Sequence, residues 1–353
     1  MKEESLIEID GSYREGGGQI LRTSLTLSAI LRRPFFIHHI RSKRKNPGLQ
    51  AQHLKAIEAV AQITEAHTEG VRLGSQEVAF YPKKIIPKEY RFEIPTAGSL
   101  TLLLQAVLPP LCLASAPSKI TLVGGTHVPW SPPFHYISEV LLPTLKKMGV
   151  DAEASLEKWG FYPKGGGMVK VDISQTGSLM PISLKKRGAL KTIRGLSAVA
   201  HLPRHVAERQ REEGLKRIRR ELTIEAEIQL LWDVPSNGPG SFFFLLVEFE
   251  EIVAGFSSLG ERGKPAEKVA EEAVDQLIEY MGREGCLDPH LADQLVLWMA
   301  LTKGRSSLTT TQMTEHLLTN LWVIEHFLEI KILRDEKRGE IEILNGSEEL
   351  TSF

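Results

Sequence analysis

The segment Thr314-Glu315-His316-Leu317-Leu318-Thr319-Asn320 carries side chains suited to covalent chemistry. Apolar residues recur from this segment onward at i, i+4, i+7 and i+11, a spacing that predicts an amphipathic helix. They are Leu317, Leu321, Ile324 and Leu328. With Thr314 as the N-cap, His316 lies in the first turn, on one face with Thr319 and Asn320. That end of a helix favours a neutral, nucleophilic imidazole and binds phosphate. The commoner use of a histidine is a surface or half-buried residue with local hydrogen bonds, and this segment alone does not exclude it.

A glycine-rich loop, Gly16-Gly17-Gly18, precedes a helix predicted from about Gln19 to Leu31. Three glycines let backbone N–H groups approach an anion closely, although such a sequence is also an ordinary turn. The loop matches neither the Walker A nor the Rossmann pattern. Glu15 beside it is unusual, because a carboxylate near a phosphate requires a cation between them. This indicates a divalent metal with oxygen ligands.

The segment from Gly16 to Ile57 contains no Asp or Glu, so its basic residues are uncompensated. These basic residues are Arg22, Arg32, Arg33, Arg41, Lys43, Arg44, Lys45 and Lys55. Arginine forks suit phosphates, and the cluster indicates an anion-binding surface. A solvated basic loop explains the same charges, so both interpretations stay open here.

Two further features concern ligand binding. Gln105 is a polar residue within the apolar helix predicted from Leu100 to Cys112, where it either reaches a ligand or makes a hydrogen bond in the core. The stiff segment Pro129-Trp130-Ser131-Pro132-Pro133 either covers a flat ring or is only a rigid loop.

Composition is that of an ordinary globular protein: 353 residues, 42% hydrophobic and 25% charged, with a net charge of −1. A nucleic-acid site must therefore come from local charge clustering. Two cysteines, Cys112 and Cys286, make no disulfide framework or zinc motif and favour a reducing compartment. The N-terminal residues Met1-Lys2-Glu3-Glu4 resemble no secretory signal, and no apolar run approaches the length of a membrane helix. We expect a cytoplasmic protein.

Glycine-rich turns recur near positions 16, 124 and 165, which predicts a repeated α/β unit of roughly 70 to 80 residues. Strands are predicted around Val71 and at Val78 to Tyr81, and a helix at Tyr136 to Met148. Residues 186–285 predict a separate small α/β domain, with residues 1–185 and 286–353 forming the larger one. The predicted fold class is α/β (α+β).

Four motifs together resemble the RNA 3′-terminal phosphate cyclase family over nearly the full chain. They are Glu15-Gly16-Gly17-Gly18-Gln19-Ile20-Leu21-Arg22, Gly160-Phe161-Tyr162-Pro163-Lys164-Gly165-Gly166-Gly167, Leu291-Ala292-Asp293-Gln294 and His316-Leu317-Leu318-Thr319-Asn320. The resemblance implies a large domain of three repeated α/β units with a smaller inserted α/β domain. It also implies a ligase that uses ATP, with a divalent metal (Mg or Mn), to convert an RNA 3′-phosphate to a 2′,3′-cyclic phosphate, releasing AMP and pyrophosphate.

By position, the resemblance makes His316 the nucleophile that becomes covalently adenylated, and Glu15 the metal-binding carboxylate. It makes Arg22, Arg41 and Arg44 contacts to phosphate. It assigns the nucleotide pocket to Gln105, Pro132, His290, Leu291, Ala292, Asp293 and Gln294.

Two residues depart from the family pattern. Trp159 stands where a histidine or arginine is usual, which puts a phosphate contact there in doubt. His290 stands where related bacterial enzymes commonly have a tyrosine, and its imidazole is still able to stack on adenine opposite Pro132.

Three alternatives remain at this point: a non-catalytic cyclase-like protein of ribosomal RNA maturation, an RNA-end-binding protein, and an enolpyruvyl transferase of related architecture. His316 argues against the first, because such proteins lack that histidine. The physiological RNA and the oligomeric state do not follow from the sequence.

Overall fold

A computed structural model describes residues 6–346. The N-terminal residues Met1 to Glu4 lie outside this range. Within it the chain forms four four-stranded sheets and the helices that cover them. None of these helices is long and apolar enough to cross a membrane.

The first sheet contains β1 (Ile7–Asp10), β2 (Phe35–His38), β3 (His67–Glu69) and β4 (Val78–Tyr81), in the order β1-β2-β4-β3. β1 and β2 are parallel, and the other two pairs are antiparallel. Helix α1 (Gly18–Leu31) connects β1 to β2, and α2 (Ala51–Thr64) connects β2 to β3.

The second sheet repeats this plan. It contains β5 (Glu89–Glu93), β6 (Ser118–Gly124), β7 (Ala152–Lys158) and β8 (Gly167–Ile173), in the order β5-β6-β8-β7. Again the first pair is parallel and the other two are antiparallel. Helix α3 (Leu100–Cys112) makes the first connection. The second connection is an α-helix with a π turn in its middle: α4 (Phe134–Tyr136), the π turn Ile137–Leu141 and α5 (Leu142–Lys146).

The third sheet is interrupted in sequence. β9 (Ser183–Leu184) precedes a sheet of different strand order, β11-β10-β12-β13, which is formed by β10 (Leu190–Ala200), β11 (Glu227–Leu231), β12 (Gly240–Phe249) and β13 (Val253–Leu259). Helices α6 (Arg204–Leu222) and α7 (Ala266–Gly282) pack on each other beside this sheet.

The chain then completes the third sheet with α8 (Pro289–Leu301), β14 (Gly304–Thr309), α9 (Glu315–Phe327), β15 (Lys331–Asp335) and β16 (Glu340–Asn345). Its order, β9-β14-β16-β15, and its single parallel pair match the other two units. The predicted α/β class, with three repeated units and one inserted unit, is confirmed. The exact domain boundaries stay a prediction.

The helix expected over Tyr136 to Met148 is present, with the π turn inside it. The strand expected around Val71 lies earlier, at His67–Glu69. The glycine turns near 124 and 165 both belong to the second sheet, because Gly124 ends β6 and Gly167 begins β8. Glycine spacing therefore does not mark the repeat, whereas strand order does.

Helix packing brings the units together at one place. α1 packs against both α3 and α9, and α8 packs against α9. Side chains from all three repeated units therefore meet where these four helices converge, although they lie far apart in sequence.

Candidate active site

His316 lies in the first turn of α9, as predicted. The Thr314 hydroxyl oxygen accepts from the Leu317 N–H at 2.9 Å, which makes Thr314 the N-cap. The same hydroxyl donates to Asp293 Oδ1 at 2.8 Å, and the Gln19 side-chain amide donates to the His316 carbonyl at 3.1 Å. The imidazole is 49% exposed, so the backbone around it is fixed while the ring remains accessible.

Glu15 contacts the imidazole directly. Its Oε2 lies 3.0 Å from His316 Nε2 and 3.1 Å from an Arg44 guanidinium nitrogen. Burial lowers the pKa of His316 below its usual 6.5, and this lowering outweighs the opposing effect of the Glu15 carboxylate. The ring is therefore neutral at pH 7. With Nε2–H donating to Glu15, the lone pair lies on Nδ1, so attack through Nε2 requires the Glu15 contact to break.

A cationic cluster lies beside this pair. Burial lowers the pKa of Arg22 to about 10, and within residues 6–346 no carboxylate forms an ion pair with its guanidinium. Burial, followed by the charges of Arg22 and Arg41, lowers the pKa of His53 to about 3. Partly buried positive charge without an ion-pair partner fits an anionic ligand.

The amino end of α1 belongs to this cluster. Gly17 is its N-cap and no side chain caps its first N–H groups. A Cβ on Gly18 would lie 2.3 Å from His53 Nε2, and Gln50 N–H holds that ring through Nδ1 at 3.0 Å. Only glycine fits at position 18. The exposed N–H groups of α1 and the arginines therefore suit a phosphate together.

Arg41 and Arg44 differ in their surroundings. Arg41 has a left-handed backbone (φ 54°), its guanidinium donates to the Asn46 carbonyl, and burial followed by the charge of Arg44 lowers its pKa. Arg44 reaches Glu15, as described above, which places it at the site itself.

A cavity of about 620 Å³ opens next to His316, within the usual size range for small-molecule pockets. Seven residues predicted to act in the site line it: Arg22, Gln105, Pro132, His290, Asp293, Gln294 and His316. These residues come from α1, α3, α8, α9 and the segment before α4. They lie far apart in the sequence, so only the structure shows that they line one cavity.

A hydrogen-bond network joins the helices around the cavity. The Gln105 amide donates to Gln294 Oε1 at 2.6 Å, and the Gln294 amide donates to the His290 carbonyl at 2.9 Å. Asn320 accepts from Thr23 at 3.0 Å and donates to the Asp293 carbonyl at 3.0 Å. Gln105 therefore lines the cavity and makes an internal hydrogen bond, and its contact with a ligand stays a prediction.

Sequence reasoning assigned no role to Gln19 or Thr23, which also line the cavity. Their positions on α1, at the same face as Arg22, are the only sequence signal that could have identified them. Conversely, Thr319 was expected to share the face of His316 and Asn320, but it is buried and its hydroxyl donates to the Glu315 carbonyl.

Leu291 and Ala292 do not line the cavity. Both side chains are fully buried in the hydrophobic core. Asp288 caps α8 by accepting from His290 N–H and Leu291 N–H, with Pro289 at the first helical position. The first two residues of the motif, Leu291 and Ala292, face the core, and the next two, Asp293 and Gln294, face the cavity.

Trp159 is 6% exposed and stacks on His127 with ring centroids 4.2 Å apart. It lies in an aromatic cluster with His135 and Phe242, so it is in no position to contact a phosphate. His290, the other departure, lines the cavity together with Pro132 and with Trp130, whose side chain is 97% exposed. The stiff proline segment is thus a wall of the cavity.

Asp293→Asn is expected to make unfolding less dependent on pH. Burial raises the pKa of Asp293 to about 7, above 3.8, so the folded state binds more protons than the unfolded state between about pH 4 and pH 7. The contribution of the Asp293 carboxyl to the free energy of unfolding therefore falls as the pH rises from about 4 to about 7. Asparagine still accepts from Thr314 but cannot ionise. The melting temperature of Asp293→Asn, relative to that of the wild type, should be higher at pH 8 than at pH 5. The same difference in melting temperature at both pH values would contradict a raised pKa for Asp293.

Arg41→Ala combined with Arg44→Ala is expected to weaken binding of phosphorylated RNA ends. Each lost phosphate contact should lower the slope of log affinity against log salt by about 0.7 for a single strand. The matched control is Arg219→Ala with Arg220→Ala on α6, two exposed arginines in ion pairs of the inserted unit. Titration of a 3′-phosphorylated RNA at several salt concentrations measures the slope, and an unaltered slope would restore the solvated-loop interpretation.

Two comparisons by sequence, with a family description and with individual relatives, agree on one family. The family description "RTC: RNA 3′-terminal phosphate cyclase" matches residues 13–333. A protein of Methanopyrus kandleri named RNA 3′-terminal phosphate cyclase is 43% identical over 341 residues, covering 95% of this chain and 97% of its own. Proteins of the same name from Pyrobaculum aerophilum and Ectopseudomonas mendocina are each 41% identical, covering 96% and 97% of this chain and 97% and 99% of their own. The chain therefore belongs to the RNA 3′-terminal phosphate cyclase family.

Proposed function

We propose that this protein is an ATP-dependent ligase that converts an RNA 3′-terminal phosphate to a 2′,3′-cyclic phosphate through a covalent histidine–AMP intermediate on His316. The observation that carries the proposal is a neutral, accessible imidazole at a helix amino end, between a cavity of nucleotide size and a cluster of arginines. Covalent catalysis divides one difficult displacement into easier ones. Family membership supports the RNA substrate.

The cavity residues suit ATP. His290 and Pro132 offer flat surfaces for adenine, and the Gln105–Gln294 pair offers polar atoms for its edge. Arg22, Arg44 and the uncapped amino end of α1 suit the phosphates. The triphosphate therefore extends from the cavity toward His316.

Glu15 is the candidate ligand for a divalent metal. A carboxylate is a hard oxygen donor of the kind that Mg²⁺ and Mn²⁺ prefer, and phosphate oxygens and water commonly complete such a site. When bound, the metal would neutralise charge on the transferring phosphoryl group. Before it binds, Glu15 holds His316 and Arg44 through one oxygen, which keeps both side chains near the phosphates.

The steps that we propose are those that the resemblance to the family implies, with His316 as the nucleophile. His316 attacks the α-phosphorus of ATP, and the bond to pyrophosphate breaks. The RNA 3′-phosphate oxygen then attacks the same phosphorus and releases His316, which leaves AMP on the RNA end. The vicinal 2′-hydroxyl attacks the RNA phosphorus, loses its proton and expels AMP. Proximity supplies a high effective concentration for this last step.

A protein that only binds RNA ends, or a non-catalytic cyclase-like RNA-processing protein, would have no use for the neutral His316. Incubation with ATP labelled at the α-phosphate separates these functions, because only the cyclase acquires covalent AMP. We expect label on the protein with α-labelled ATP and none with γ-labelled ATP. Absence of α-label in the presence of divalent metal would favour the binding function. Cytoplasmic location is part of the same proposal.

A further inference from the structure

Three metal-ligating side chains meet at the ends of two neighbouring strands, outside the cavity. Asp10 ends β1 and His38 ends β2, and the parallel register pairs these two residues directly. His39 follows immediately. One ligand atom from each of the three lies within 4.8 Å of the others, and within residues 6–346 this is the only such group of three. The cluster is partly exposed, so an ion has access to it.

The backbone at His39 gathers the two rings on one side. Consecutive side chains of a strand point to opposite faces. His39 instead has a left-handed backbone with φ 53°, which is uncommon for a residue other than glycine. The result is that His38 Nδ1 and His39 Nδ1 lie only 2.9 Å apart. An unusual backbone conformation that brings two imidazole nitrogens together is a reason to look for a ligand.

Neighbouring groups orient the cluster as in protein metal sites. Glu8 Oε1 lies 3.3 Å from His38 Nε2, a contact that favours a proton on Nε2 and leaves the Nδ1 lone pair for the cluster. Asp10 Oδ1 accepts from the Ser12 N–H at 2.9 Å, which fixes the carboxylate. Metal-bound histidines and carboxylates usually have such outer partners.

The spacing of the ligand atoms suits a small tetrahedral ion. Zinc–nitrogen bonds of about 2.0 to 2.1 Å at tetrahedral angles place two ligand atoms roughly 3.3 Å apart. His39 Nδ1 lies 3.3 Å from Asp10 Oδ1 and 2.9 Å from His38 Nδ1, and both distances are close to that spacing. Two imidazoles select zinc or a related transition metal over Mg²⁺ and Ca²⁺, which take oxygen ligands.

We propose that Asp10, His38 and His39 bind a divalent transition-metal ion of the zinc class, with water in the fourth position, at a site separate from Glu15. Its location gives the ion a function. The loop from Asp10 to α1 carries Glu15, and the loop from His39 to α2 carries Arg41 and Arg44. Lys43 already joins the two loops by donating to the Arg14 carbonyl at 3.3 Å. An ion at the start of both loops ties them together.

The test uses metal-free full-length protein and Co²⁺ as the probe, since tetrahedral Co²⁺ with nitrogen ligands absorbs visible light. The variants are His38→Gln and His39→Asn. Asparagine tolerates the left-handed backbone, so His39→Asn removes the ring without disturbing the loop. His67→Asn is the matched control, because His67 is an exposed histidine beside Glu69 at 3.2 Å in the same sheet. Glu15→Ala removes the candidate metal ligand beside His316 and so shows whether Co²⁺ binds there instead.

We expect wild type, His67→Asn and Glu15→Ala to bind one Co²⁺ each with a tetrahedral visible spectrum that Zn²⁺ abolishes and excess Mg²⁺ does not. His38→Gln and His39→Asn should lose that spectrum and bind at least tenfold more weakly. Zn²⁺ should also raise the melting temperature of wild type but not of His39→Asn. No spectrum in wild type, or an unchanged spectrum in folded His39→Asn, would overturn the site; loss in Glu15→Ala alone would assign the ion to Glu15 instead.

Discussion

His316→Asn is expected to abolish covalent adenylation while ATP still binds. Asparagine is polar and of similar size, but its amide does not form a stable bond to phosphorus. The helix does not depend on the ring, because Thr314 caps it through Leu317 N–H and Gln19 holds the His316 carbonyl, a backbone atom. Loss of a nucleophile commonly costs roughly 10³-fold or more in rate.

The measurement is protein-bound label after incubation with α-labelled ATP, together with equilibrium binding of a non-hydrolysable ATP analogue. His326→Asn is the matched control, because His326 lies on the same helix, α9, and its ring contacts the carbonyl and the indole ring of Trp322 at the far end of that helix. If His316→Asn still acquired AMP through a bond that is stable to base and labile to acid, another residue would be the nucleophile.

Glu15→Ala is expected to suppress adenylation by roughly 10²-fold or more, far beyond any loss of RNA binding. The carboxylate contacts His316 and Arg44, so its removal releases both side chains and deletes the candidate metal ligand. Protonation of the imidazole does not explain the loss. Glu15 raises the pKa of His316 against the larger lowering by burial, so its removal lowers that pKa further and leaves the ring neutral at pH 7.

Adenylate formation should be measured against Mg²⁺ and Mn²⁺ concentration, with RNA affinity measured in parallel. Glu58→Ala is a suitable control, because Glu58 is an exposed carboxylate on α2 that pairs with Lys55. A variant with reduced rate but the wild-type metal dependence would leave Glu15 as a residue that positions His316 and would remove it from the metal site.

A local signal in the sequence predicted the amino end of α9. Thr314 is a good N-cap, and the structure uses it as one. Such signals depend on hydrogen bonds between residues two or three positions apart, which a sequence displays directly. The apolar periodicity of the same segment likewise predicted the buried face that Leu317, Leu321 and Ile324 form.

Two strands with few large apolar residues were missed. β7 (Ala152–Lys158) contains two glutamates and a lysine, and β14 (Gly304–Thr309) is largely polar. Each is held by hydrogen bonds to partners distant in sequence: β7 by β8, and β14 by β9 and β16. Their conformation is therefore a consequence of tertiary pairing, which local propensity does not encode.

The candidate site also combines features that local sequence signals predict with features that depend on the tertiary structure. The family resemblance pointed to His316, Glu15 and six further residues that line the cavity. It did not reveal the contact between Glu15 and His316, which are 301 positions apart in the sequence. A motif also does not say which of its residues face inward. Leu291 and Ala292 support α8 from the core, whereas Asp293 and Gln294 face the cavity.

A chase of isolated adenylated enzyme tests the central claim most directly. The wild-type protein is incubated with ATP and metal, freed of nucleotide, and mixed with equimolar RNA that ends in a ribose 3′-phosphate or in a 2′-deoxyribose 3′-phosphate. Mass spectrometry then follows protein and RNA. We expect AMP on the His316 peptide to disappear as the ribose end becomes a cyclic phosphate without further ATP, while the deoxy end accumulates as the adenylated strand. AMP that stays on the protein, or is found on a peptide without His316, would contradict the account.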